Sequence, residues 1–176
     1  MKIFLIIMIV LCLLLLAFLV FLIVYTFKRD KTHSSNEQLM QGNVDKSALI
    51  IYQPSIHNGN ISISNAIAVT LHENGYNVTI NRPSPKLKYK LSKFDIIAFG
   101  SGVYMGKAAS PLYNFINSNN KFLHKKVFIY LTGVDVVATR ELNSLKKLIP
   151  DGNDIFTIKI QKNEIDKATD FIKQNL

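Results

Sequence analysis

The chain has 176 residues and a formal net charge of +9, from 21 Lys and Arg against 12 Asp and Glu. A single cysteine excludes an intrachain disulfide framework and is compatible with a reducing compartment. Although basic domains often bind nucleic acid, the sequence has only three arginines and no stripe of arginine interleaved with aromatic residues, so we expect no nucleic acid partner.

The amino-terminal segment is a continuous apolar run, residues 3–27, without a charge. As a helix it would span roughly 37 Å, enough to cross an apolar slab of about 30 Å with some tilt. The alternative is a cleaved signal peptide, whose apolar core has only about 7–15 residues and ends in small residues. Here Val24–Phe27 has no such pattern, and a lipoprotein signal would need a small residue where Leu11 precedes Cys12. We therefore predict a transmembrane anchor at residues 1–28, with membrane lipid as its partner.

Positive charge flanking this run predicts its orientation. Lys28, Arg29 and Lys31 follow the run, whereas Lys2 precedes it. Because the more basic flank tends to stay inside, we expect a single-pass protein of the cell membrane with its C-terminal domain in the cytoplasm. Anionic headgroups would attract the remaining basic surface.

Residues 29–47 are predominantly polar and have few large apolar side chains. Such a segment cannot bury enough surface to offset the entropy of ordering it, so it is predicted to be a linker. Residues 48–176 then form one domain of ordinary size.

Within this domain short apolar runs alternate with helical patterns. The predicted strands are residues 48–52, 77–81, 95–99, 127–131 and 155–160. The predicted helices are residues 62–74, a segment beginning at Ser110, residues 139–148 and the C-terminal segment. Strands alternating with helices indicate an α/β fold whose parallel sheet is covered on both faces.

Ligands of an open parallel sheet bind beyond the carboxyl ends of its strands, where the strand order reverses. The first such loop, residues 53–62, leads into a helix amino terminus, whose free N–H groups suit a phosphate. Gly59 would let the backbone approach the anion. An equal alternative is that Asn60 or Ser62 caps the helix, which would use the same free N–H groups. His57 has no identifiable partner and is interpreted as a surface residue.

The second loop, residues 100–106, has three glycines after a central strand. Such a segment exposes backbone N–H groups to a ligand, and Tyr104 could stack on a flat heterocycle. The alternative is a flexible turn with Tyr104 packed on the neighbouring helix. The third loop, residues 132–135, is too short to interpret alone.

Several other kinds of site are excluded. Neither G-x-G-x-x-G after the first strand nor G-x-x-x-x-G-K-[ST] occurs. Gln53 and Gly100 stand where a receiver domain would have acidic residues. The sequence contains no Cys/His cluster, so no metal site is predicted.

The segment FDIIAFGSGVYMG, residues 94–106, resembles the "YDxIxxGSPVYxG" segment of the flavodoxin-like family, with Gly102 where proline is common. SPLYNF, residues 110–115, and KKVFIYLTG, residues 125–133, match further family segments. The resemblance covers residues 48–134. It implies a flavodoxin-like, doubly wound, five-stranded parallel sheet of order 2-1-3-4-5, here preceded by one transmembrane helix.

The resemblance also implies FMN, with its phosphate on the first loop and its ring between the second and third. The positions that match the phosphate loop are Ser55, Asn58, Gly59, Asn60 and Ser62. Those that match the ring loops are Ser101, Gly102, Val103, Tyr104, Thr132 and Gly133. The family's usual "[ST]-x-T-G-x-T" is lengthened here and has asparagines around its glycine.

Two functions follow from this resemblance, and both remain open. One is a membrane-tethered FMN protein in electron transfer or oxidoreduction, with a redox partner protein or a quinone. Flavin carries that chemistry, so no catalytic side chain is predicted. The other is a cofactor-free flavodoxin-fold interaction module at the membrane, because a fold does not by itself imply a function.

Overall fold

The computed structural model describes residues 2–42, 45–55 and 59–176, and the chain divides into two units, residues 1–31 and 32–176. The first unit is the helix α1 (Lys2–Arg29) of 28 residues. Its side chains are apolar on all sides, and none of those described is buried. This helix is long and apolar enough to cross a membrane.

The second unit is an α/β domain. Its strands are β1 (Gln38–Met40), β2 (Ser47–Tyr52), β3 (Asn77–Asn81), β4 (Ile96–Tyr104), β5 (Lys107–Ala108), β6 (Lys126–Thr132) and β7 (Asp154–Ile160). Its helices are α2 (Gly59–Glu73), α3 (Ser110–Ser118), α4 (Arg140–Lys146) and α5 (Ile165–Gln174), with a 3-10 turn at Leu91–Lys93.

The sheet has the order β1-β3-β2-β4-β6-β7, and β5 pairs only with β4. Its parallel strands β3, β2, β4, β6 and β7 are the five predicted strands in the predicted order 2-1-3-4-5, so the flavodoxin-like class is confirmed. The apolar run of β2 explains its central position. Ala48 and Ile50 face one core layer, whereas Leu49 and Ile51 face the other.

The predicted linker, residues 29–47, differs from the structure, because β1 lies inside it. β1 pairs antiparallel with β3, and the Gly42 N–H donates to Asn77 Oδ1 at 2.8 Å. Met40 packs against the core layer that contains β3. A three-residue strand with one partly buried apolar side chain leaves no recognisable pattern in a polar segment. It forms because β3 would otherwise present an unpaired edge.

Candidate functional site

The carboxyl ends of β2, β4 and β6 lie side by side. Tyr52 pairs with Gly100, and Gly102 pairs with Thr132. The strand order reverses here, because the chain passes from β2 to β3 on one side and then to β4 on the other. This topology brings the three predicted segments to one edge of the sheet, where ligands of doubly wound folds bind.

In the first segment, Asn60 closes the loop on itself. Its fully buried side chain accepts a hydrogen bond from the Ser55 N–H at 2.7 Å and donates one to the Gln53 carbonyl. The Asn60 N–H in turn donates to Ser55 Oγ at 3.5 Å. The side chain of Asn60 therefore shapes the backbone of this loop. Asn58 and His57 lie outside the described residues.

The helix α2 begins at Gly59, three residues before the predicted start. Ser62 is consequently inside the first turn and exposed, not at the cap. The first turn has no acidic residue. Gly59 lies against the side chain of Lys162, since a Cβ at Gly59 would be 2.7 Å from Lys162 Cβ. Lys162 follows β7, about a hundred residues away in sequence, and no local pattern connects it to the first loop.

The second segment is mostly strand, which corrects the predicted loop at residues 100–106. β4 continues to Tyr104, and a two-residue turn at Met105 and Gly106, both with positive φ, leads into β5. Two consecutive positive φ values are typical of hairpin turns that fit the twist of a sheet. β4 pairs with β6 as far as Gly102 and Thr132. The backbone N–H and C=O groups of this part of β4 therefore form hydrogen bonds within the sheet and are not exposed as in a free loop.

The side chains of this segment pack on the strand itself. Ser101 is buried; its hydroxyl donates to the Gly102 carbonyl at 2.9 Å and accepts from the Ala109 N–H at 3.0 Å. Tyr104 is half-buried, and its ring lies over Gly102, where a Cβ would come within 2.8–3.0 Å of ring atoms. Glycine at position 102 is therefore what permits this ring position.

The third segment begins at Thr132, which is buried at the end of β6. Gly133 is half-buried, and its N–H donates to the Ile160 carbonyl at 3.0 Å. A Cβ at Gly133 would lie 3.4 Å from Val103 Cβ, so the two predicted ring segments are in lateral contact.

The connection from β6 to α4 is held from both sides. Asp135 Oδ1 accepts hydrogen bonds from the N–H groups of Ala138 and Val137, at 3.2 and 3.0 Å, and these bonds keep the pKa of Asp135 below its usual value. On the other side, Lys159 of β7 donates through Nζ to the Ala138 carbonyl at 3.0 Å and to Glu141 Oε2 at 3.1 Å. Sequence reasoning missed Lys159 and Glu141, because each lies in an ordinary strand or helix pattern.

We expect Asn60→Ala to lower the free energy of unfolding by about 1–3 kcal/mol, because two backbone groups of the first loop lose a buried partner. The measurement is urea unfolding of the full chain in detergent, followed by near-ultraviolet circular dichroism. Asn65→Ala is the matched control, since Asn65 is exposed on the same helix. Equal unfolding midpoints for the two variants would contradict the role assigned to Asn60.

The family model described as "Flavodoxin domain" matches residues 49–163. The chain belongs to the flavodoxin domain family. This confirms the resemblance found in the sequence. An uncharacterised protein of Methanocaldococcus jannaschii is 35% identical over 85 residues, which are 48% of this chain and 53% of that protein. The chain thus matches about half the length of that relative.

Solved flavodoxin structures show the same fold. Flavodoxin from Streptococcus pneumoniae TIGR4 has a TM-score of 0.58 at 14% identity, over 72% of this chain and 94% of that one. Oxidised flavodoxin 2 from Bacillus cereus has a TM-score of 0.56 at 16% identity, over 74% and 99%. A flavoprotein from Lactobacillus acidophilus NCFM, solved in complex with FMN, has a TM-score of 0.52 at 13% identity, over 72% and 99%.

Proposed function

We propose that this protein binds FMN at the carboxyl edge of its sheet and acts in electron transfer or oxidoreduction at a membrane. The observation that carries the proposal is the convergence of the three segments on the edge where the strand order reverses, in a chain of the flavodoxin domain family. A similar fold with FMN in the Lactobacillus acidophilus flavoprotein adds support.

The first segment supports a phosphate site. A helix amino terminus offers free N–H groups and a partial positive charge, and α2 has no acidic residue in its first turn to oppose an anion. The side chain of Lys162 packs on Gly59, the first residue of this helix. We therefore expect backbone N–H groups and Lys162 to donate hydrogen bonds to the phosphate, in place of the hydroxyl groups that are usual in the family.

The second and third segments support a site for a flat ring. Val103, Tyr104 and Gly133 are half-buried, so each retains surface for a ligand. Asp135 is engaged by two N–H groups of its own loop, and Glu141 is paired with Lys159. Bound flavin would supply the electron-transfer chemistry. The residues around it would hold the ring and limit the access of water.

Membrane attachment is part of the same proposal and rests on α1. A signal sequence near the amino terminus meets the same criteria of length and composition. The length of the apolar run and the absence of small residues at its end favour an uncleaved anchor. The more basic flank favours a cytoplasmic location of the domain. A quinone or a membrane redox protein would then be the electron partner.

We expect the full chain, purified in detergent, to bind FMN and to show flavin absorbance bands at about 370 and 450 nm. Riboflavin lacks the phosphate, so it should bind at least about tenfold more weakly, which corresponds to about 1.4 kcal/mol. Titration of the flavin-free chain, followed by flavin fluorescence, measures both affinities. Lys162→Gln should reduce the preference for FMN over riboflavin, whereas Lys167→Gln, an exposed lysine of α5, should leave it unchanged.

One observation favours the cofactor-free interaction module as a second candidate. Polar side chains that the family resemblance assigns to the cofactor, those of Asn60 and Ser101, are engaged in hydrogen bonds within the protein. A full chain that is folded, colourless and unable to take up added FMN would favour this second function. Weak binding of FMN with no preference over riboflavin would contradict the phosphate site in particular.

A further inference from the structure

The most exposed large apolar side chains of the second unit are clustered at the carboxyl edge. Among the large apolar side chains of the described residues of 32–176, the most exposed are Val134 at 94%, Val137 at 85% and Met105 at 66%. The two valines lie in the connection from β6 to α4, and Met105 is in the turn from β4 to β5. Exposed apolar groups concentrated in this way are typical of an interaction surface.

Basic side chains are also present at this edge. Those in or beside the connections at the carboxyl edge are Arg82, Lys86, Lys88, Lys107, Arg140 and Lys162. Acidic residues at this edge include Glu37, Asp135, Glu141 and Glu164, and all four accept hydrogen bonds from groups of the protein. The opposite edge is basic as well, with Lys46, Lys93, Lys121, Lys125 and Lys147 against Asp45, Asp95 and Asp151 in its described connections. What distinguishes the carboxyl edge is that its cations occur together with the most exposed large apolar side chains of the unit.

The chain enters the second unit at this same edge. Asn81, buried at the carboxyl end of β3, accepts hydrogen bonds on Oδ1 from Ser35 Oγ at 3.2 Å and the Asn36 N–H at 2.9 Å. Its Nδ2 donates to Tyr89 Oη at 2.9 Å, and Tyr89 donates to Glu37. Burial is the main reason that the pKa of Tyr89 rises to about 12.

The segment that joins the apolar helix to this edge is short in sequence. Five residues, 30–34, lie between Arg29 and Ser35. The attachment point, the exposed apolar side chains and the basic charge thus occur at one edge of the sheet.

We propose that the carboxyl edge of the sheet docks on an anionic lipid bilayer, with Met105, Val134 and Val137 entering the interfacial layer. The inference rests on the membrane attachment in the proposed function and adds the surface that contacts lipid. Apolar side chains flanked by cations bind such interfaces through buried apolar area together with attraction to anionic headgroups. A cofactor at this edge would then be close to a lipid-dissolved electron partner.

The test uses spin labels on the full chain in the Cys12→Ser background, reconstituted with FMN in vesicles of phosphatidylcholine and phosphatidylglycerol. One label is attached at Val137→Cys. The matched control is Asn120→Cys, which is exposed in the connection at the opposite edge. Power saturation measures collisions with oxygen, which concentrates in lipid, and with a water-soluble nickel complex. We expect the ratio of oxygen to nickel accessibility to be severalfold higher at position 137 than at position 120.

Adding Lys86→Glu and Lys88→Glu to the Val137→Cys chain should lower this ratio toward that of the control. Equal ratios at positions 137 and 120 would overturn the inference. Protection of position 137 from both reagents would also overturn it, because it would show a protein occupant.

Vesicle flotation and flavin absorbance on the same samples distinguish failure of docking from failure of membrane attachment or of FMN binding. A chain that floats and binds FMN but gives equal ratios refutes docking alone, whereas a chain that does not float refutes membrane attachment and docking together.

Discussion

Lys159→Met is expected to lower the free energy of unfolding by about 3–5 kcal/mol, because it leaves the carboxylate of Glu141 buried without its cation. The two side chains are 3% and 6% exposed, and their charged atoms are 3.1 Å apart. Lys159 also donates to the Ala138 carbonyl, so the substitution removes a second hydrogen bond. Urea unfolding of the full chain in detergent, followed by tyrosine fluorescence, measures the change, since the chain has no tryptophan.

The double variant Lys159→Met/Glu141→Leu should recover most of this loss. A pair of apolar side chains can replace a buried ion pair at little cost, whereas one unpaired charge cannot be accommodated. Lys167→Met is the matched control, because its ion pair with Glu164 is on the surface. If Lys159→Met and Lys167→Met unfolded at the same urea concentration, the buried pair would have no structural importance.

The same substitution should also weaken FMN binding, because Lys159 holds the Ala138 carbonyl of the connection that begins at Gly133. The double variant restores stability without this hydrogen bond. It should therefore fold normally and still bind FMN less tightly than the unmodified chain. Such a result would separate the role of Lys159 in stability from its role in positioning the third segment.

Gly100→Ala is expected to destabilise the domain by about 3 kcal/mol or more, at or above the upper end of the usual range for overpacking. A Cβ at this position would overlap the ring of Tyr130, well inside the 3.0 Å that real Cβ contacts keep. The ring cannot move aside, because Tyr130 is fully buried and its hydroxyl is 2.7 Å from Ser64 Oγ. The measurement is the same urea unfolding experiment.

Gly133→Ala is the control for this prediction. A Cβ at Gly133 meets its nearest neighbours, Lys159 Cε and Val103 Cβ, at 3.4 Å, an ordinary contact distance. We therefore expect Gly133→Ala to leave the unfolding midpoint nearly unchanged. Equal destabilisation by the two alanines would mean that backbone freedom, and not the ring of Tyr130, explains the glycine at position 100.

The role of Gly100 illustrates a limit of sequence interpretation. Three glycines after a central strand predicted an exposed ligand loop. In the structure two of them, Gly100 and Gly102, lie in a continuing strand and make room for tyrosine rings. Only Gly106, with φ of +70°, occupies the turn. The glycine pattern correctly indicated the carboxyl end of a central strand. It did not reveal why the glycines are there, because Gly100 makes room for Tyr130 on β6 and Gly102 makes room for Tyr104, two residues farther along β4.

The sequence by itself determined the elements whose pattern is local. The apolar run of α1, the fully buried strands and their alternation with helices all follow from hydrophobic periodicity, and the segment FDIIAFGSGVYMG indicated the family. Only the tertiary structure decided the pairing of β1 with β3, the buried pair of Lys159 with Glu141 and the contact of Lys162 with Gly59. The physical reason is that these contacts join residues distant along the chain. The energy of each contact depends on burial and geometry that exist only after the sheet has formed.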